Sequence, residues 1–363
     1  MRYALIGCGR VSPNHISAAI DNQIKIVALC DLDYEKAVQK KNDFSLSDNV
    51  HVYTDYKEML QKEKPELVAI ATSSGAHAQI AVDCIRAGCH VIIEKPIALS
   101  LEDADKIIAA EQEMHVKVCV NHQNRFNTAV QQMRNALLAG RFGKLLYGTT
   151  SIRWHRDETY YKSADWRGTW AHDGGTLMNQ CIHAIDLLRW MLGDEITEVT
   201  GITDNVLHPY IEAEDLGLAM LKFKNGSYAL IDGTITTFGG DMEETLTLFG
   251  EKGLARIGGT CVNKIDEWRF SDGSDTESHV QKQCSENPPN VYGFGHKSIY
   301  ADMLEAIQDD RPPYVDAQAG RRALEAVLAI YLSAATGKPV KLPLSSCSTT
   351  DFIGRFDARS KSI

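Results

Sequence analysis

Residues 2–7 (RYALIG) form a short apolar run that ends in Gly7-Cys8-Gly9-Arg10-Val11-Ser12, and Pro13 and Asn14 then open a helical segment. No other stretch restricts the fold as tightly, because a dinucleotide-binding crossover requires a strand, a glycine turn and a helix in this order. Gly7 permits the tight turn and Gly9 lets a pyrophosphate approach the backbone. The helix N-terminus behind Arg10 and Val11 supplies amide donors and a positive dipole end. Ser12 stands where a third glycine is usual, one small residue for another. A second apolar run, residues 24–30, ends at Asp31, about 20 residues on, where a carboxylate should meet ribose hydroxyls. Leu32 and Asp33 follow with no arginine. A carboxylate there repels a 2′-phosphate, so NAD is expected in preference to NADP.

Strand and helix patterns keep alternating: residues 67–71 then 76–87, 90–94 then 100–114, and 116–120. Such alternation builds a parallel sheet with helices on both faces, so residues 1–121 should form an α/β Rossmann domain. Thr72-Ser73-Ser74-Gly75 and Glu94-Lys95-Pro96 fall just past strand ends, the edge at which these sheets bind ligands. Thr72, Ser73, Glu94 and Lys95 are therefore candidate cofactor contacts, with Arg10, Val11, His77 and Gln123 beside Gly7, Gly9 and Asp31. Lys95 is a cation expected where nicotinamide and substrate meet.

Past Asn121 the period changes. Residues 128–139 look helical, while residues 195–203, 216–223, 228–236, 245–249 and 264–270 alternate apolar and polar side chains. Asn225-Gly226 between two of them is a hairpin signal. Residues 122–363 should thus form an α+β domain with an open antiparallel sheet, closed by helices near residues 298–307 and 317–335. Residues 271–289 are polar, lack periodicity and end in Pro-Pro, as a surface loop would.

A chain of 363 residues suffices for two such cores. Its net charge of −10 argues against a field that gathers nucleic acid or an anionic membrane, so an anionic ligand must be met by local cations. Nine cysteines without CxxC pairs suit reduced thiols in a cytosol. The first residues already form a strand in place of a signal peptide, and no apolar run is long enough to cross a bilayer. A cytoplasmic location is expected.

Residues 173–190 (DGGTLMNQCIHAIDLLRW) read as one helix with two incompatible jobs. Leu177, Cys181, Ala184 and Leu188 repeat at helical spacing and should face a core. Asn179, His183 and Asp186 at i, i+4 and i+7 cut a polar stripe through that surface. The stripe contains no lysine or glutamate, which favours a cleft over a solvated face. The bland alternative is a core histidine satisfied by Asp186. Just upstream, residues 153–172 (RWHRDETYYKSADWRGTWAH) hold Arg153, Arg156, Arg167, Tyr160 and three of the five tryptophans. Arginine forks suit phosphate and carboxylate, and flat aromatic faces suit a base or sugar ring. The alternative is an aromatic subunit contact with solvated arginines. Histidines and cysteines do not recur at a ligand spacing joined by carboxylates, so no metal is expected.

The GCGRVS turn, the EKP triplet and the helix pattern GG-x-L-x-x-x-x-H-x-x-D-L together resemble the glucose-fructose oxidoreductase and inositol dehydrogenase family along the whole chain. The resemblance implies that Lys95 and His183 face the nicotinamide, and that the enzyme is a tetramer. Many members carry aspartate four residues before the histidine, where this chain has Asn179. A closer likeness covers residues 121–193. There NHQNRFN, RWHRDETYY, WRGTW and DGGTLMNQCIHAIDLLRWMLG are similar to the UDP-N-acetyl-2-amino-2-deoxy-D-glucuronate 3-dehydrogenases, a branch of bacterial surface-polysaccharide (lipopolysaccharide O-antigen) synthesis that also has asparagine at this position. This likeness implies oxidation of the C3 hydroxyl of UDP-N-acetylglucosaminuronate to a ketone that a pyridoxal-phosphate aminotransferase would consume. Lys95, His183 and Asn179 would be catalytic, and Lys95, Arg153, Arg156, Tyr160, Arg167, Asn179 and His183 would bind substrate. Two other readings stay open: an NAD-dependent dehydrogenase of a free sugar or inositol, and a non-catalytic NAD-binding regulator.

Overall fold

The computed structural model describes residues 1–193, 195–288 and 292–357. These residues divide into two compact units, Met1–His122 with His296–Arg321, and Gln123–Gly295 with Arg322–Ile363. The expected single cut after residue 121 is replaced by a chain that returns. Residues 296–321, read from sequence as part of the second domain, complete the first unit.

In the first unit six parallel strands, β1 (Arg2–Ile6), β2 (Lys25–Cys30), β3 (His51–Tyr53), β4 (Leu67–Ile70), β5 (His90–Ile93) and β6 (Val118–Val120), take the order β3-β2-β1-β4-β5-β6. This is the doubly wound order in which a dinucleotide lies across the carboxyl ends of the strands. β4 is buried along its whole length, which explains its unbroken apolar run. The returning segment closes the far edge, where Val120 N donates to Val315 O at 2.9 Å. It also drives the buried Tyr300 into the core, with its hydroxyl 2.8 Å from both the Tyr3 hydroxyl and His15 Nδ1.

The second unit is built on eight strands, β7 (Leu145–Arg153), β8 (Ile196–Asp204), β9 (Leu216–Phe223), β10 (Tyr228–Thr234), β11 (Glu243–Gly250), β12 (Gly253–Gly258), β13 (Lys264–Phe270) and β14 (Val340–Lys341). Their order is β13-β12-β11-β7-β10-β9-β8-β14. The sheet is mixed, because β7 and β10 run parallel at its centre while the other pairs are antiparallel. β7 and β12 escape a pattern search because glycine and threonine interrupt their alternation. Gly148 in β7 has a packing reason: a Cβ there would lie 2.8 Å from Leu188 Cδ1 of the helix that covers this face. Asn225-Gly226 makes the β9–β10 turn with Gly226 at φ +86°.

The other face of this sheet is not covered by its own unit, and Tyr147, Ile202, Leu218, Met220, Tyr228 and Leu230 are exposed on it. The stretch expected as a loop contains the helix Glu277–Cys284, capped by Thr276 and anchored by buried Val280 and Cys284. Pro289 lies outside the described residues. All nine cysteines are free and buried, and no described helix is long and apolar enough to cross a membrane.

Candidate active site

The glycine turn is shaped from both sides. Gly7 sits at φ +97°, and a Cβ there would collide with the Ala71 carbonyl, so only glycine fits. Gly9 is exposed, and a Cβ there would meet nothing within 4 Å, which leaves its backbone open to a bulky anion. Ser12 is buried and its Oγ donates to Gly9 O at 2.7 Å, so this serine fastens the turn where a glycine would merely fit. Asp31 closes the unit by accepting Cys8 N at 2.7 Å and Asp33 N at 2.9 Å. Exposed Arg10 and half-buried Val11 lead into the helix Ser12–Asp21. An open amide turn, a helix N-terminus and a carboxylate at the second strand fit a dinucleotide.

Thr72 and Ser73 follow β4, half-buried at the same sheet edge. His77 is placed otherwise than expected for a cofactor contact. It is buried, with Nδ1 2.7 Å from Pro96 O and Nε2 3.3 Å from Thr72 O, and burial lowers its pKa. A neutral imidazole in that position fastens the Thr72 loop to the Lys95-Pro96 turn.

Glu94 likewise turns inward. Its carboxylate meets His15 Nε2 at 3.0 Å, accepts from Asn121 Nδ2, lies 3.6 Å from His296 Nε2 and accepts Lys95 N at 3.3 Å. Burial works against its charge, yet hydrogen bonds and attraction from the two histidines hold its pKa well below the usual carboxylate range. His15, Glu94 and His296 bring ligand-type atoms within 4.8 Å of one another, and hydrogen bonds shared with Asn121 and Tyr300 link them here. This network carries the half-buried Lys95 on its surface side.

In the second unit the expected single helix is two, Thr176–Asn179 and Ile182–Leu192, with the break at Gln180 and Cys181. Asn179 and His183 are half-buried while their neighbours Met178, Ile182 and Ala184 are buried, so the polar stripe does open outward. Asn179 Nδ2 donates to the buried Asp173, whose other oxygen accepts Gly168 N at 2.7 Å. Gln180 Nε2 donates to Tyr160 Oη at 3.1 Å. Asp186 departs from the stripe. It is buried, and Arg125 binds it through two nitrogens at 2.7 Å while Arg189 adds a third at 2.9 Å. That ion triad fixes the longer helix from behind. Gln123 is buried in the short turn that carries Arg125.

The three arginines separate. Arg153 shares the face of β7 opposite Gly148, Thr150 and Ile152, so it points away from the helix that bears His183. There Asp232 and Glu243 already pair with it, the latter at 2.7 Å, and the expected substrate contact is not supported within this unit. Arg156 bonds Asp241 at 2.8 Å and stacks near Trp154 and Tyr160. Arg167 differs from both. Its guanidinium lies over the Tyr160 ring at 4.4 Å and donates to Tyr160 Oη at 2.6 Å and Ser163 Oγ at 3.1 Å, with no carboxylate of the described residues paired to it. Tyr160 is therefore a hub joining Arg156, Arg167 and, through Gln180, the residue next to Asn179.

Sequence reasoning missed the buried acids. Glu244 on β11 is buried on the helix-covered face, bonded by Asn124 Nδ2 at 3.3 Å, and burial pushes its pKa up to about 8. Glu214 lies under the glycine pair before Asn179. Neither belongs to a local motif.

The turn at Gly7, the acid at Asp31 and the strand order define an NAD-binding Rossmann unit of the kind used by dehydrogenases. Residues 1–122 match the description "Oxidoreductase family, NAD-binding Rossmann fold" and residues 134–342 its "C-terminal alpha/beta domain". The chain belongs to this NAD-binding oxidoreductase family, that of glucose-fructose oxidoreductase and inositol dehydrogenase, and its relatives include dehydrogenases of sugars and polyols.

It is similar to the WlbA dehydrogenase of Bordetella pertussis, solved with NADH and UDP-GlcNAcA, at 34% identity and TM-score 0.89 over 95% of this chain and 98% of that one. The corresponding enzyme of Chromobactrium violaceum, solved with the same two ligands, gives 32% identity and TM-score 0.86 over 95% and 96%. The D-apiose dehydrogenase of Paraburkholderia graminis is 27% identical over 93% of this chain and 89% of its own length. The myo-inositol 2-dehydrogenase of Thermotoga maritima is 24% identical over 94% and 98%.

Proposed function

We propose that the protein oxidises the C3 hydroxyl of UDP-N-acetylglucosaminuronate to the 3-keto sugar with NAD. The observation that carries this reading is Arg167, a guanidinium stacked on Tyr160 with no described acid to neutralise it, in a chain whose net charge is −10. A UDP-uronate bears about three negative charges and needs such a local cation, whereas glucose or inositol does not. The likeness to two dehydrogenases solved with UDP-GlcNAcA supports the same substrate.

In this reading Arg167, assisted by Arg156, pairs with the uronate or the diphosphate, and Tyr160 packs against the ligand. Asn179, with Nδ2 committed to Asp173, offers its carbonyl oxygen to a sugar hydroxyl. Bound NAD supplies the acceptor for the two electrons that leave C3 with its hydrogen. His183, an imidazole that can accept a proton on a ring nitrogen, takes the hydroxyl proton. Lys95 offsets the negative charge that develops on the same oxygen, and the Glu94 network holds the turn from which Lys95 extends.

The ketone would pass to an aminotransferase, placing the enzyme in diamino-uronate synthesis for a surface polysaccharide. Nine buried thiols suit a reducing cytoplasm. The exposed apolar face of the second sheet supports assembly as a homotetramer.

Mixing the protein with NAD and a ketone-consuming partner tests the assignment. UDP-N-acetylglucosaminuronate should support NADH formation at least about tenfold better than UDP-N-acetylglucosamine, because a site that pairs a charge is left unsatisfied by the neutral sugar. Faster turnover of myo-inositol or glucose than of the UDP-uronate would favour the free-polyol reading, which the apiose and inositol relatives support. A non-catalytic regulator would turn over none of them.

A further inference from the structure

The helix Thr176–Asn179 begins without a side-chain cap of its own, since its N-cap is Gly175 at φ +98°. Two buried groups from distant parts of the second unit take that place. Glu214 Oε1 accepts Leu177 N at 2.8 Å, and Tyr331 Oη accepts Met178 N at 3.2 Å. The two caps also touch each other, with Tyr331 Oη 2.6 Å from Glu214 Oε1 and 2.9 Å from Gly174 O. Both side chains are buried, and Glu214 Oε2 has no hydrogen-bond partner. It sits where a Cβ on Gly175 would collide with it, so the second glycine is there to admit the acid.

Counting hydrogens decides the state of this cluster. A phenol has one hydrogen, so beside an ionised carboxylate Tyr331 can serve Glu214 or Gly174 O but not both. A buried acceptor is then orphaned, at a cost that grows when it carries charge. If Glu214 bears a proton on Oε1, every short contact has its own hydrogen. Leu177 N–H donates to Oε1, the acid donates to Tyr331 Oη, Tyr331 donates to Gly174 O, and Met178 N–H donates to Tyr331.

We infer that Glu214 is a neutral carboxylic acid whose hydrogen, passed on through Tyr331, locks residues 174–178 and thereby aims Asn179 and His183. Glu214 is a positioning residue for the reaction proposed above, and the inference rests on that reading for its link to catalysis. Its surroundings agree. Asp173, Cys181, Tyr161 and Tyr331 face it from the neighbouring elements with Arg355 opposing them, its chain neighbour Asp215 is bonded to His208 instead, and burial pushes the Glu214 carboxyl up to about 8. The lock should release as pH rises through that value.

Chemical denaturation of the full chain without substrate, between pH 5 and pH 9, reads the proton directly. Relative to Glu214→Gln, the wild-type folding constant should fall by up to about tenfold per pH unit from pH 5 to about pH 8, since one proton is held in the folded state and lost from the unfolded one. A difference that does not change with pH would overturn the inference. If Glu214→Gln does not fold, hydrogen exchange of the Leu177 and Met178 amides in the wild type decides. It should accelerate above pH 8 more steeply than ordinary base catalysis, and a purely base-catalysed rise through pH 9 would count against the lock.

With UDP-N-acetylglucosaminuronate, the wild-type kcat should fall on the alkaline side, and Glu214→Gln and Tyr331→Phe should each lower kcat by about tenfold, leave KM for NAD within about twofold, and remove that alkaline fall. Unchanged kcat and an unchanged alkaline limb in both variants would refute the positioning role. If the wild type itself fails to turn over the UDP-uronate, the substrate assignment fails. Denaturation and exchange then still show whether Glu214 holds the proton.

Discussion

Asp31 accepts the backbone amide of Cys8 at 2.7 Å, so the acid expected to face the ribose also braces the glycine turn. NAD should bind at least about tenfold tighter than NADP, a difference of about 1.4 kcal/mol that one unfavourable carboxylate–phosphate contact can supply. Asp31→Ser should narrow that gap and also weaken NAD, because Cys8 N loses its acceptor. Equal affinities of the wild type for the two cofactors, measured by calorimetry, would refute the reading of Asp31.

His183→Ala and Lys95→Ala should each lower kcat by roughly 10²-fold or more while NAD still binds, since positioned proton transfer and charge stabilisation are effects of that order. Cofactor titration followed by steady-state kinetics separates the two. Near wild-type turnover in both variants would remove the enzyme reading of the polar stripe.

The arginines give a paired test. Arg167→Ala should raise KM for the UDP-uronate about tenfold or more, because an unneutralised guanidinium is removed from a charged ligand. Arg153→Ala should leave that KM within about twofold, since its partners are Asp232 and Glu243 on the opposite face of the sheet. The reverse ranking would mean that the outer face, not the Tyr160 hub, meets the substrate.

His296 is held below its ordinary pKa, chiefly by burial. A depressed folded-state pKa means that the unfolded chain takes up the proton first. The stability it contributes is therefore complete above about pH 6.5 and is lost as pH falls through the lowered value. The advantage of wild type over His296→Asn, read from urea midpoints, should be larger at pH 7.5 than at pH 5. A constant difference would show that the imidazole does not titrate in this window.

What could be read from sequence was whatever repeats locally. The apolar runs of β1, β2, β4, β5 and β6, the turn from Gly7 to Ser12 and the stripe of Asn179 and His183 all advertise themselves through period or spacing. Asp186 looked equivalent to its neighbours on the helix wheel, yet Arg125, more than sixty positions away along the chain, claims it. Arg153 misled because its segment was read for its arginines and aromatic rings alone, with no strand expected there. Once Leu145–Arg153 is a strand, alternation alone turns that side chain outward. His77 and Glu94 sat in the right loops but face inward, a direction that only the packing of His15, Tyr300 and Pro96 determines. Glu214 and Tyr331 meet across 117 positions, and no local pattern encodes such a pair.

The return of residues 296–321 to the first unit has a consequence for how the chain is made. Tyr300 is the hydroxyl partner of both Tyr3 and His15, so the interior begun by the first strand stays incomplete until most of the chain has been synthesised. A ribosome releases residues 1–122 long before their missing piece, and throughout that interval the edge beside β6 and the polar groups around Glu94 must wait in water. The second unit closes later still, because β14 and Tyr331 belong to residues 322–363, which leave the ribosome last. Both units are therefore begun before either can be finished, and each is sealed by a segment that comes back from the later part of the chain.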